Sequence, residues 1–300
     1  MTAVTAPAGA PPAAGRDRRR PGRRIWLAPP LAALAVIFGY PLIVVIANAL
    51  TGRSSLTGQS GIAAWSSVLG SAQFGQALAR TIEIGAAATA GCLLLGFILA
   101  VVLAFIPFPG SRVIARFIET VLAFPSFLIA LSFGYMYGAS GLLNHVLMTV
   151  TGATSPPVSF VYSVWAVILA EITFYTPFVV RPLLASFSQL DTGLIEAASS
   201  LGAGPLRIIR RIILPEAVPA LLAGGSLCLV LTLNEFGIIL FIGAKGVLTM
   251  PMLIYSDLTG LGDQTAAAIV AVISVVLSLG FYSLYRFLLS RLGGGRAGVL

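Results

Sequence analysis

Six stretches of this chain run for more than twenty residues with at most two charges each, and that recurrence limits its possible folds more than any other feature. A helix needs about 20 predominantly apolar residues to cross the hydrocarbon core of a bilayer. The stretches 26–50, 82–106, 117–138, 160–184, 217–243 and 265–287 all reach that length. Composition points the same way: 9% of the 300 residues are charged and 58% are hydrophobic, whereas about a quarter of a soluble domain is charged. A soluble domain of this size cannot hide so much apolar surface. The expectation is an all-α integral membrane protein with six transmembrane helices.

The first stretch follows an Arg-rich segment and so imitates a signal peptide. Trp26 to Leu50 holds 25 uncharged residues, too long for a signal core, and no clear small-residue cleavage site follows it. We expect a retained helix over 26–50. The residues before Arg16 are chiefly Ala, Pro and Gly, which cannot bury a core, so 1–25 is expected to be a disordered basic tail. The expected core covers 82–287, with a long polar loop at 185–216 and a second tail at 288–300.

The net charge of +8 could suggest nucleic acid, but 6 of the 18 basic residues sit between Arg16 and Arg24. That is an anchor at one end rather than a binding face. By the positive-inside rule the short loops richest in Lys and Arg stay in the cytoplasm. The tail, the loop with Arg112 and Arg116, the loop with Arg207, Arg210 and Arg211, and the end with Arg286, Arg291 and Arg296 together hold 14 of the 18 basic residues. The opposite side holds Arg53, Arg80 and Lys245, and Arg181 falls near the end of the fourth stretch. Both termini are therefore expected in the cytoplasm.

No catalytic or metal constellation emerges. Cys92 and Cys228 both lie in apolar runs and read as small buried hydrophobes rather than a disulfide. His145 is the only histidine, in a segment, 138–160, that reads as an uncharged outer loop ending in Ser155, Pro156 and Pro157. With no second histidine and no carboxylate cluster of ligand spacing, neither metal nor cofactor is expected.

The loop 185–216 is dense in signals. Asp191 and Thr192 can cap a short helix with Glu196 in its first turn. Leu194, Ile195, Ala197, Ala198 and Leu201 recur at helical spacing and predict one smooth apolar face. Gly202 is a natural stop, and Gly204-Pro205 starts a second helix. There Arg207, Arg210 and Arg211 share one face and Leu206, Ile209 and Ile213 another, a pattern suited to an anionic leaflet. Pro215 is expected to end that helix.

Glu196-Ala197-Ala198, three residues, Gly202, nine residues, Ile212, one residue and Leu214-Pro215 resemble the EAA motif of ABC importer permeases. The resemblance extends over about 200 residues, from the second stretch to the sixth. It implies the type I ABC importer architecture, with Glu196, Ala197, Ala198 and Gly202 docking on a separate cytoplasmic ATP-binding subunit. Ile212, Leu214 and Pro215 would set the angle of that docking element. It further implies a second permease subunit, the same or a sister chain, and an extracytoplasmic solute-binding protein. The chain has no G-x-x-x-x-G-K-[ST] loop to cradle nucleotide phosphates, in keeping with energy supplied by a partner.

Phe124-Pro125-Ser126-Phe127-Leu128-Ile129-Ala130-Leu131 and Leu233-Asn234-Glu235-Phe236-Gly237 look like the branch that serves iron(III), thiamine, polyamines and phosphonates. Phe241 to Gly246 with Thr249, Met250 and Pro251 is similar to the 2-aminoethylphosphonate permeases in particular.

Ionisable groups at membrane depth are costly, so each is a functional candidate. Glu171 lies 11 residues from the start of its stretch at Phe160, about 16 Å deep and near the midplane. Asn234 and Glu235 fall in the outer half of the fifth stretch, where Gly237 and Gly243 can loosen a helix. Glu171, Asn234 and Glu235 are therefore candidates for a polar translocation path. The bland alternative is a helix contact satisfied by neighbours such as Thr173 and Tyr175. Arg181 is expected to snorkel to the inner surface, and Gly134 with Gly138 to permit close helix packing. A secondary transporter would predict paired broken helices in two inverted halves, and no such repeat is visible.

Overall fold

The computed structural model describes residues 28–292, and every regular element among them is helical apart from an isolated bridge between Arg53 and Ser60. The Arg-rich segment 16–24 and residues 293–300 lie outside the described residues. Two compact units divide between Val44 and Val45.

Six helices are long and apolar enough to cross a membrane: Pro29–Thr51 (α1), Ala72–Phe105 (α3), Ser126–Thr151, Val164–Phe187 (α7), Pro205–Leu233 (α9) and Gln264–Phe287, the last lying within Gln264–Leu292 (α12). The third is two helices in line, Ser126–Tyr137 (α5) and Leu142–Thr151 (α6). Shorter helices fill the connections: Gly61–Leu69 (α2), Ser111–Thr120 (α4), Thr192–Ser200 (α8), Gly237–Ile242 (α10) and Met250–Thr259 (α11).

Several boundaries depart from the sequence expectation, each for a local reason. α3 begins ten residues before 82, capped by the Ser71 hydroxyl, which accepts from the Phe74 amide at 3.2 Å. Its 34 residues span about 51 Å against a core of about 30 Å, so its first turns project beyond hydrocarbon. There Arg80 and Glu83 pair at 2.7 Å, both exposed. The stretch expected at 117–138 starts only at Ser126, because Pro125 cannot continue the amphipathic α4. Residues 142–151, expected as loop, are helical and carry His145. Gly134 is not a packing site within this chain, since a side chain there would meet nothing within 4 Å. The last helix continues past 288 to Leu292.

α3, α7 and α9 make the core. Ala and Gly let them approach: Cys92, Ala100, Ala166, Val167, Ala170, Val179, Ala217 and Cys228 are all fully buried. At Gly224 of α9 an added Cβ would lie 2.9 Å from Val179 Cα and 3.0 Å from the Phe178 carbonyl oxygen, so the two backbones touch. Both cysteines are free; the Cys228 thiol donates to the Tyr175 carbonyl at 3.4 Å.

Pro215 does not end the helix that begins at Pro205. A π turn at Ile209–Ile213 precedes it, and the wider i to i+5 turn gives the proline ring room that an α turn denies it. The same arrangement precedes Pro41, behind the π turn Ala35–Gly39. The basic helix and the fifth span are one continuous rod.

At the junction of α11 and α12, Asp257 and Asp263 are both buried. Burial, and then the neighbouring Asp263 charge, raise the Asp257 carboxyl to about 6. Burial also works against the Asp263 carboxylate, but hydrogen bonds from Ala266, Ser54, Leu56 and Ser55 outweigh it and hold the group below the usual range.

Candidate functional site

Two separate places carry the residues singled out from the sequence. The first is the connection around α8. The Asp191 side chain caps this helix, accepting from the Gly193 amide at 2.9 Å. Leu201 closes it, and Gly202 turns the chain with φ +79°, a conformation that L side chains rarely adopt. The Gly202 amide bonds the Ser199 carbonyl at 2.9 Å and Ala203 bonds Ala198 at 3.0 Å, after which Pro205 starts α9.

Glu196 sits at the fifth helical position, not in the first turn. The apolar positions also divide between two faces instead of forming one. Ile195, with Ile208 and Ile209 of α9, packs on the main core, and Ile213 is 3% exposed. Leu194 and Leu201 turn outward at 54% and 89% exposure, with Glu196 and Ala197 exposed between them. Leu206 is exposed as well. Ala198 and Ile212 are half-buried, and Gly202, Leu214 and Pro215 are exposed. The loop is thus pinned by isoleucines from behind and presents leucines, an alanine and a carboxylate to the front. Arg207, Arg210 and Arg211 flank that front and are exposed.

The second place is the polar cluster inside the core. Glu235 lies not within a continuous fifth span but at its end: Asn234 closes α9, and α10 starts at Gly237. Gly237 and Gly243 therefore do not loosen one long helix; Gly243 caps α10 with φ +61°. Glu235 holds the break together. Its Oε1 accepts from the Ser126 hydroxyl at 3.1 Å and from the Ile238 amide at 2.8 Å, and its Oε2 accepts from the Tyr175 hydroxyl. One carboxylate thereby joins α5, α7 and the α9–α10 junction. Phe127 of α5 stacks on Phe241 of α10 with ring centroids 5.1 Å apart, closing the same joint.

Glu171 stands one turn before Tyr175 on α7. It is 0% exposed, and neither carboxylate oxygen has a hydrogen-bond partner among the described residues. The neighbours expected to satisfy it are engaged elsewhere: Thr173 donates to the Leu169 carbonyl at 2.8 Å and Tyr175 to Glu235. Asn234 parts company with the pair. Its side chain is exposed and donates to the Val230 carbonyl and the Ser278 hydroxyl. Arg181 is exposed, with Nε 3.9 Å from Glu119 of α4.

For Glu235 the bland alternative is the one found, a helix contact with a Tyr and a Ser, Tyr175 and Ser126; sequence reasoning missed its cap on the Ile238 amide. An acidic residue three before the amide it caps, next to Gly237, was the available signal. An unpaired buried carboxylate is among the costliest groups a core can hold. Among the described residues no group of three or more His, Cys, Asp or Glu side chains is arranged to hold a metal.

Comparison with known proteins gives these elements a context. The family model described as "Binding-protein-dependent transport system inner membrane component" matches residues 92–294. PhnU of Salmonella typhimurium (strain LT2), named for a proposed role as a 2-aminoethylphosphonate transport system permease protein, is 52% identical over 269 residues, covering 90% of this chain and 93% of PhnU. The putrescine transport system permease protein PotI of Escherichia coli (strain K12) is 31% identical over 211 residues, covering 70% of this chain and 71% of PotI. In fold, the chain superposes on a bacterial ABC transporter involved in the import of the acidic polysaccharide alginate, with a TM-score of 0.75 at 18% identity and coverage of 90% and 96%.

Proposed function

This chain belongs to the binding-protein-dependent transport system inner membrane components, and from that premise we propose that its cargo is 2-aminoethylphosphonate and that it is driven through the loop around α8. It is an ABC importer permease, all-helical and multi-pass in the inner membrane, of a family that transports and does not catalyse. In this reading the chain makes and breaks no covalent bond, and both termini face the cytoplasm.

The cargo assignment is carried by the 52% identity to PhnU across nine-tenths of the chain. The ammonium end of that cargo, though not its anionic phosphonate, suits a carboxylate-bearing interior. An aminoalkyl phosphonate bears an ammonium group, and Glu171 has two carboxylate oxygens without a partner. Glu171 and Glu235, enclosed within this chain's core in the structure described, would line the path between two permease subunits, identical or sister, once the helices around them part, with Asn234 at its edge. A polyamine is the second reading, supported by the 31% identity to PotI.

For energy, Glu196, Ala197, Ala198 and Gly202 would seat in a cytoplasmic ATP-binding subunit, with Ile212, Leu214 and Pro215 fixing their angle to α9. The exposed Leu194 and Leu201 supply the apolar area such docking needs. An extracytoplasmic binding protein would deliver cargo. ATP-driven closure of the partner would draw two such loops together and switch access from inward to outward, since interfaces of packed helices move as rigid bodies.

Uptake of radiolabelled 2-aminoethylphosphonate in a deletion strain, with and without the restored gene, tests the reading. Restoration of 2-aminoethylphosphonate uptake with no change in putrescine uptake is expected. Restored putrescine uptake instead would transfer the assignment to the polyamine reading.

A further inference from the structure

Away from both places described above, the 52–60 connection, the end of α2, the start of α3 and the α11–α12 junction line an open cavity of about 110 Å³, with Leu56, Val68, Leu253, Leu261 and Ala266 as its apolar part. Its polar lining consists of oxygen-bearing side chains: Asp257, Asp263, Ser54, Thr57, Ser71 and Gln73 are foremost, and no Lys, Arg or His lines it. Asp263 is fully buried and fully engaged. Its Oδ1 accepts from the Thr265 and Ala266 amides at 3.1 and 3.0 Å, and its Oδ2 from the Leu56 amide at 3.3 Å and from the Ser54 hydroxyl.

Asp257 is different. It is 5% exposed, lines the cavity, and its carboxylate accepts no hydrogen bond among the described residues. Its main-chain carbonyl accepts from the Asp263 amide at 2.8 Å, which fixes the second carboxylate beside it. The nearby cations are occupied elsewhere. Arg53 is exposed and donates to the Gly58 carbonyl at 2.8 Å, and Arg80 is exposed in its pair with Glu83.

Two neighbouring carboxylates, one of them without a hydrogen-bond partner and facing a pocket with no basic side chain, attract a positive ligand. We propose that this cavity is a calcium-class divalent-cation site, with the free Asp257 carboxylate as its principal ligand and Asp263 as fixed counter-charge. Ca²⁺ takes six to eight oxygen ligands in flexible geometry, whereas Mg²⁺ demands a near-ideal octahedron and keeps its waters. The Ser54 and Ser71 hydroxyls are already engaged, and the irregularly placed oxygens of Asp257, Thr57 and Gln73, completed by water, suit the larger ion. Bound there, the ion would clamp the connection after the first span to the start of the last, joining segments already linked by the Ser54–Asp263 hydrogen bond across 209 residues. The proposal is independent of the cargo and of the loop around α8.

Equilibrium dialysis of the purified full-length chain against ⁴⁵Ca²⁺, after chelation, tests it directly. One ion per chain is expected, with Kd on the order of 10⁻⁴ to 10⁻³ M, the range of extracellular calcium modules. Calcium should raise the melting temperature, and equal ionic strength of K⁺ should not. Asp257→Asn keeps the side-chain shape and should abolish both the bound calcium and the calcium-induced shift. In chelator the variant should melt no lower than the parent, because one of two like charges is gone. Absence of calcium binding by the parent at tenfold the expected Kd would overturn the site. So would an Asp257→Asn variant that keeps its calcium shift, or equal shifts with Mg²⁺, K⁺ and Ca²⁺.

Discussion

Glu171 and Glu235 lie in the same core, and they differ in how their charge is met. Glu235 receives three hydrogen bonds from three segments, so its role in holding the α9–α10 break is structural whatever else it does. Glu171 receives none and is wholly enclosed. Removing an unpaired buried carboxylate relieves desolvation, so a purely architectural Glu171 would make little sense. Glu171→Leu is expected to raise the thermal unfolding midpoint of the purified chain while lowering uptake about tenfold or more, the equivalent of about 1.4 kcal/mol of lost interaction. Glu235→Gln keeps an acceptor for the Ile238 amide and should leave assembly intact while altering transport kinetics. Parallel thermal melts and uptake assays check both, and a Glu171→Leu chain that transports normally would remove that residue from the path.

At the scale of elements, the loop around α8 is held from behind and open in front. Glu196→Lys should abolish retention of the ATP-binding subunit during purification and abolish uptake, while the folded permease is recovered at its usual yield. Leu201→Glu should weaken retention too, because an 89% exposed leucine has no part in the chain's own core. Gly224→Ala probes a different element contact. A methyl 2.9 Å from Val179 Cα forces α9 off α7 and should cost about 1–3 kcal/mol, as overpacking does, read as a lower unfolding midpoint. Much of this element structure was legible in the chain: the Asp191 cap, the Gly202 stop and Pro205 at a helix start are local chemistry, and local chemistry is written in neighbouring residues. What was not legible depended on partners distant in sequence. Apolar counting ran the fifth span through to 243 because Asn234 and Glu235 look like two polar residues in a hydrophobic run. The Glu235 cap on the Ile238 amide is local, but the hydroxyls of Tyr175 and Ser126 that complete the joint are far along the chain. Likewise Pro215 read as a terminator because proline usually is one. The π turn before it cannot be seen in hydropathy.

At the scale of the whole molecule, the remaining question is which end faces which compartment, and the charges answer it with a checkable expectation. The positive-inside rule concerns Lys and Arg in short connections and at span ends; the connection bearing Arg112 and Arg116 precedes the third of six spans, and Arg207, Arg210 and Arg211 lie in the first turns of the fifth, next to the connection before it. Because successive spans alternate direction, these connections share one side, and the Asp257–Asp263 cavity and the loop with Ser155 share the other. The two native cysteines are buried in the core, so they do not compete for a bulky reagent. A membrane-impermeant maleimide applied to intact spheroplasts should label Ser155→Cys and spare Leu201→Cys, and lysis should expose Leu201→Cys, since both parent positions are exposed in the fold. The reverse pattern would invert the protein. It would put the α8 front beyond reach of any cytoplasmic ATPase and the acidic cavity on the calcium-poor side, so this one measurement bears on the driving partner and on the cation site together.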